Sequence, residues 1–464
     1  MDADANRTDA FGCLGCVERD GRINRLEAQV RQLQQQVEAS SRSGKRQAAP
    51  FSRGLPKSDP KRPGRRGGDD YGTQAFRAVP PVIDEIHDAP LPERCPDCGG
   101  RQFIDERVDH QYQVEIPRRP IHRQFNVAVA QCTCCGGRVR GRHPLQTSDA
   151  LGCCKSQVGP EAQAAAVMLN KELGLSHGKI SRFFKAFFGV KLTRGGSCQM
   201  MLRAAERCEG NYQAVVKHVQ QSRWIVPDET GWRIGGQSAW LHAAVTDRAV
   251  AYRVARGRGV EASALLIGED YRGILIHDGW ASYDRFWRAV HQTCVAHLLR
   301  RCHELLETAT RGAVILPRKV RALLLESLET RDQRDAKAIS VKATNARADD
   351  LQERMTKLVT PVKTHAANER FCRHLLRHRS QWFTLLRHEG IDATNWRAEQ
   401  AIRPAVVNRK VWGGNRTEAG AAAQSILMTV LFTAAKLNRD GVQFVSRILC
   451  SPDDQRPMLL PDTG

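Results

Sequence analysis

No run of about 18 apolar residues occurs in the chain, so the sequence offers no membrane-spanning helix and no membrane partner. Its hydrophobic 41% is dispersed through 464 residues, enough for large cores and about three domains. Base is missing where a secretory signal needs it, because Met1-Asp2-Ala3-Asp4-Ala5 begins with acid, and a cytoplasmic protein is expected. Acid is scarce overall. Lys+Arg number 71 against 50 Asp+Glu, a net charge of +21, which favours a polyanionic partner, nucleic acid foremost. Apolar periodicity is absent from residues 41–84. This basic stretch, Lys57 to Gly68 above all, cannot build a core. It is expected to be a disordered linker suited to sequence-independent phosphate contact.

Disulfides are not expected either, so the 15 cysteines read as metal ligands or core residues. Cys95-Pro96-Asp97-Cys98 and Cys132-Thr133-Cys134-Cys135 are each followed by two glycines. Two such knuckles supply four thiolates, Cys95, Cys98, Cys132 and Cys135, for one structural Zn²⁺, with Cys134 as a competing ligand. This gives a zinc-ribbon-like domain over 85–150, with strands expected at Tyr112–Ile116 and Phe125–Ala130. Cys13 and Cys16 form an isolated pair without a second, better read as chance or a partner site than as zinc. Ile23, Leu26, Val30, Leu33 and Val37 alternate three and four apart, a short heptad seam. Residues 1–40 therefore read as a coiled coil supporting a homodimer or higher oligomer, or as one amphipathic helix packed on its own domain. Residues 155–215 read as helical. Ala162–Asn170 forms a helix, and Leu175 to Phe184 the turn and second helix of a helix-turn-helix, with Ser176 as N-cap and Lys179 and Arg182 facing DNA. A helical collar bracing the next domain is the other reading.

Chemistry concentrates between Arg223 and Trp232. Trp224 to Val226 is an apolar run that reads as a buried strand, ended by Pro227 and Asp228. Gly273 to His277 repeats the pattern and delivers Asp278. Between them lie strands Ala239–Val245 and Val250–Val254, then a helix Glu261–Gly268, with turn signals at Gly235-Gly236 and Thr246-Asp247. Two strand-end carboxylates meet only if their strands are neighbours in one sheet. Ribonuclease H-like nucleases and transposases are built this way, holding two divalent ions about 4 Å apart for in-line phosphoryl transfer. The third carboxylate such a site needs is Glu399, in Thr394 to Arg403.

Four stretches carry a resemblance: Asp228 to Trp232; His277 to Trp280 with Tyr283; Cys294 to His297; and Asn395 to Arg409, followed by Lys410. Over about residues 85–435 the chain resembles the large-subunit transposases of the insertion sequence 66 family. The resemblance implies that Asp228, Asp278 and Glu399 are the catalytic triad, holding two Mg²⁺ or Mn²⁺ ions. The expected architecture is multidomain α/β: a ribonuclease H-like core at 220–435 with a large helical insertion at about 300–390 (Arg318–Thr330, Asp335–Leu358, Asn368–Arg387). The coiled coil, the zinc segment and the helical DNA-binding segment precede this core, and a C-terminal tail, 436–464, follows, expected to be loose from Cys450. Cys294 and His297, at i and i+3 of a helix, are expected to order that helix rather than bind metal. Pro404 is expected to end the Glu399 helix. Asn395 would hold Glu399, while Arg403, Arg409 and Lys410 would contact DNA beside a Gly413-Gly414-Asn415 turn. Gly420–Leu437 reads as a closing apolar helix. The implied function is metal-dependent cleavage and strand transfer at the ends of a bacterial insertion sequence. Its partners would be double-stranded DNA, as terminal repeats and target, with accessory proteins of the same element, and the protein would be nucleoid-associated when bound. The alternatives are a sequence-specific DNA-binding protein and a nuclease without strand transfer.

Overall fold

The computed structural model describes residues 22–23, 26–30, 32–34, 79–103, 107–114, 116–147 and 157–460. The chain forms two compact units, Met1–Glu115 and Ile116–Gly464. In the first, the described residues between 22 and 34 are helical, and Ile23, Leu26, Val30 and Leu33 are each about half exposed. Val37, Cys13, Cys16 and most of the basic linker lie outside the described residues. Residues 107–114 are irregular where a strand was expected from Tyr112.

The second unit opens with a hairpin, β1 (Val129–Gln131) and β2 (Arg138–Arg140). The expected Phe125–Ala130 strand thus starts later and closes around the Cys132 turn. Helices α1 (Pro160–Lys171), α2 (His177–Phe188) and α3 (Arg194–Gln221) follow. Pro160 starts α1, where its missing N–H costs nothing. The Ser176 hydroxyl accepts from Lys179 N at the start of α2, the cap read from the sequence. Thr193 does the same for α3.

The central sheet runs β3 (Trp224–Ile234), β4 (Gln237–Val245), β5 (Val250–Ala255), β6 (Ile274–His277) and β7 (Val290–Thr293), in spatial order β5-β4-β3-β6-β7. The first three form an antiparallel meander, and β6 and β7 join it in parallel. Helix α4 (Val260–Ile267) crosses between β5 and β6. Pro227 does not end β3, which runs on to Ile234 against β4. Pro227 sits just past the last β3–β6 pair, Ile225 with Leu275, where a missing donor breaks no ladder to β6. The strand β7 is one that the sequence reading did not include.

Side chains alternate across this sheet. Ile225 and Leu275 face a core built with α1 to α4. Val226, Ile274 and Ile276 face another, built with the later helices. These are α5 (Val295–Thr308), α6 (Ile315–Asp335), α7 (Val341–Val359), α8 (Ala366–Arg377), the single turn α9 (Thr384–Arg387) and α10 (Trp396–Trp412). The helical insertion therefore shares the core of the sheet. The expected Asn368–Arg387 helix breaks after Arg377, where buried Trp382 turns back and donates to Leu375 O. Helix α10 runs through Pro404, giving up the bond to the Gln400 carbonyl rather than ending there.

Helix α11 (Glu418–Lys436) is long and apolar enough to cross a membrane by composition, yet it is mostly buried within this unit. It covers the open edge of β5. Val250 N, Tyr252 N and Val254 N donate to Thr433 Oγ1, Thr429 Oγ1 and Ser425 Oγ at 3.1, 2.9 and 2.9 Å. Two strand residues advance about 6.6 Å and four helical residues about 6.0 Å, so hydroxyls every fourth residue keep pace with donors every second. At the other edge, Leu385 N donates to Gln292 Oε1 and Thr384 Oγ1 donates to His291 O. The described residues beyond Cys450 are held rather than loose as expected. Helix α12 (Gly441–Cys450) packs on α1 and α3, and Asn211 holds Pro457 O and Leu459 N.

Candidate active site

Three elements bring carboxylates to one end of the sheet. Asp228 shares the parity of Val226, so it points to the face that α10 covers. Asp278 follows β6 with the parity of Ile276. Counted on from the pair Ile225–Leu275, Asp228 and Asp278 stand level, three residues beyond the last parallel pairing. Glu399 lies in the first turn of α10, packed through Ala398 and Ile402 on the same core, where the helix N-terminus favours negative charge.

Asp228 Oδ1 accepts from Glu229 N at 2.9 Å. Asp278 Oδ1 accepts from Trp280 N at 2.8 Å, across a turn in which Gly279 has φ +90° and its missing Cβ leaves room for His374. Burial pushes the Asp228 carboxyl up to about 7, the charges of Glu229, Asp278 and Glu399 adding to it against the Glu229 N–H bond. The three carboxylates therefore act in one field. Among the described residues, no three His, Cys, Asp or Glu side chains are grouped closely enough to hold an ion. The donor chemistry is nonetheless that of a hard divalent cation, all oxygen with one carboxylate largely desolvated. Mutual repulsion is the cost a cation offsets.

Cys294 and His297 serve Glu399. Cys294 stands just ahead of α5 rather than within it, so the two do not share a helical face as expected. Its sulfur accepts from Asn395 N at 3.4 Å, and His297 Nε2 faces Glu399 Oε1 at 3.7 Å. The pair ties β7 and α5 to the start of α10. Asn395 is the residue before the helix, but its side chain makes no capping bond.

Glu229, beside Asp228, has no role in the sequence reading. Its side chain is 3% exposed; Oε1 accepts from Arg258 Nε at 2.8 Å and Oε2 from the Tyr283 hydroxyl at 2.6 Å. Burial and Glu229 push the Tyr283 phenol well above its usual range, so it stays a donor. The Arg258 guanidinium lies 3.8 Å over the Trp280 ring and 4.7 Å over Trp240. Tyr283 and Trp280 belonged to the recognised stretches. Arg258, between two glycines, carried no signal.

The chain belongs to the transposase IS66 family. The sequence model of that family, described as "Transposase IS66 family", matches residues 155–423, a span that contains all three carboxylates. No curated protein matches the chain. Family membership makes this a transposase, a protein that acts on DNA. Of the basic residues read from the sequence, Lys179 and Arg182 are exposed on α2, and Arg403 and Lys410 on α10. Arg409 instead turns inward and donates to Gly231 O and to Thr230 Oγ1. The glycine turn after α10 also docks internally. Asn415 exchanges backbone bonds with Arg233 O and Gly235 N and accepts from Trp232 Nε1, and a Cβ on Gly414 would stand 2.5 Å from Arg233 O.

Each cysteine turn closes on its own backbone. Cys95 N donates to Gly100 O and Gly99 N to Cys95 O, while Cys132 N donates to Gly137 O and Gly136 N to Cys132 O. The N–H groups of Cys98 and Asp97 lower the Cys95 thiol, and those of Cys135 and Cys134 lower the Cys132 thiol, the bias a zinc ligand needs.

Proposed function

We propose that the protein cleaves DNA strands and joins them to a target at the ends of a bacterial insertion sequence, using divalent cations held by Asp228, Asp278 and Glu399. The observation that carries this reading is geometric: Asp228 and Asp278 stand level on neighbouring strands, three residues past their last pair, and Glu399 lies in the first turn of the helix packed on that face. The strand order, an antiparallel meander extended by two parallel strands, supports a ribonuclease H-like core. When bound, a pair of Mg²⁺ or Mn²⁺ ions supplies the charge that activates the attacking oxygen and stabilises the leaving one. The protein's own share is orientation. Trp280 N holds one oxygen of Asp278 and Glu229 N one oxygen of Asp228, leaving the other oxygen of each for the ligand. His297 and the Cys294–Asn395 bond fix the start of α10 and with it Glu399.

Exposed Lys179, Arg182, Arg403 and Lys410 are proposed to contact duplex DNA. Zinc remains the proposed ligand of the cysteine turns, Cys95 with Cys98 and Cys132 with Cys135, supported by the turn geometry within each. The half-exposed seam on residues 23–33 supports self-association through a coiled coil. The test is cleavage and joining of labelled DNA carrying the element ends with Mn²⁺, comparing wild type with Glu399→Gln. Loss of both products with DNA binding intact is expected; equal activity would remove Glu399 from the site.

A further inference from the structure

No ladder pair joins Asp228 to Asp278. Their strands stop pairing with each other at Ile225 and Leu275, and each aspartate stands three residues further on, Asp228 held only to β4 through Ala243 and Asp278 just past the last β6–β7 pair, His277 with Thr293. Something else must fix that gap, because a cation site tolerates little slack in ligand spacing.

Two links cross the gap, and both start at Glu229, the neighbour of Asp228. One runs from Glu229 Oε2 to the Tyr283 hydroxyl at 2.6 Å, in the turn Ala281–Arg285 that follows Asp278. The other runs from Glu229 Oε1 through Arg258, 2.8 Å away, to Trp280, whose ring lies 3.8 Å beneath the guanidinium. Trp280 N in turn holds Asp278 Oδ1. Both oxygens of Glu229 are engaged, and its side chain is almost wholly buried. It is thus a strut beside the cation site.

We infer that Glu229, Arg258 and Trp280 form a clamp that sets the Asp228–Asp278 separation, making Arg258 and Trp280 positioning residues for the divalent-cation site. The inference rests on the three-carboxylate reading above. Arg258 suits the post because one flat group both satisfies a carboxylate edge-on and stacks face-on against indole. Lysine would neutralise Glu229 without stacking.

The test is Mn²⁺ binding to the full-length protein by titration calorimetry, with cation-free melting temperatures measured alongside. Arg258→Ala would bury the Glu229 charge without its partner, so the Trp280 variants carry the comparison. Trp280→Ala should weaken Mn²⁺ binding about 10- to 100-fold, the range for residues that hold metal ligands in place. Trp280→Phe should recover most of the loss, and Arg258→Lys should weaken binding as Trp280→Ala does. Trp287→Ala is the control: its ring is 75% exposed and stacks on Arg288, and binding should not change. A Trp280→Ala protein with wild-type Mn²⁺ affinity overturns the clamp, whatever its melting temperature. So does a Phe variant no better than Ala, or an Arg258→Lys variant equal to wild type. Asp228→Asn and Glu399→Gln separate the two readings. If neither alters Mn²⁺ binding, the carboxylate site itself fails; if both do while Trp280→Ala does not, only the clamp fails.

Discussion

Asp228 is where burial and charge conflict most directly. A carboxyl that titrates near 4 in an unfolded chain is pushed up to about 7 here, by burial first and its acidic neighbours second. Between those two values the folded state binds a proton that the unfolded state does not. Stability of the cation-free protein should therefore fall as pH rises from about 4 through about 7. Asp228→Asn should flatten that slope in a series of melting curves, and a slope unchanged in the variant would assign it elsewhere. Cation binding has the opposite sense, since the ligand must lose its proton, so Mn²⁺ affinity should drop below pH 7. Gly279 is the other residue on which the site leans. With φ +90° and His374 3.3 Å from where a Cβ would sit, Gly279→Ala should lower the melting temperature and disturb Asp278 with it.

Elements that announce themselves by apolar runs, the sheet strands from β3 to β6, were legible in the sequence; those held by buried polar side chains were not. The strand β7 spells Val290-His291-Gln292-Thr293, three polar residues that look like a loop. Their partners, Phe286 O, Leu385 N and Gln381, are supplied by the neighbouring turn and by an insertion as much as 93 residues away. No local pattern could show that. For the same reason α10 was cut short at Pro404, whose cost is met by packing through Ala405 and Asn408. The carboxylates were readable because each ends or follows a recognisable motif, whereas Arg258 gains its meaning only when the loop after β5, the strand β3 and the turn after β6 meet. The hydroxyl ladder of α11 makes a sharp prediction at this scale. Thr429→Val keeps the shape but leaves buried Tyr252 N without an acceptor, and should cost about 1–3 kcal/mol in denaturant unfolding. On α2, Lys179→Ala should reduce the salt slope of duplex binding by about one if that helix meets phosphate. An unchanged slope makes α2 a brace.

Across the whole molecule, the surplus of base, +21, should make duplex affinity fall steeply with salt, and the C-terminal residues complete the structure rather than trail from it. Residues 425–433 reach back 171 to 183 positions to close the edge of β5. On the ribosome, then, the meander emerges long before its cover. A nascent chain stalled between Glu399 and Ser425 carries the acidic residues of the site but an open row of strand donors, ready to pair with another such chain. Synthesis past Thr433 is therefore the event that lets this edge close, and fragments ending before Ser425 should collect in the insoluble fraction.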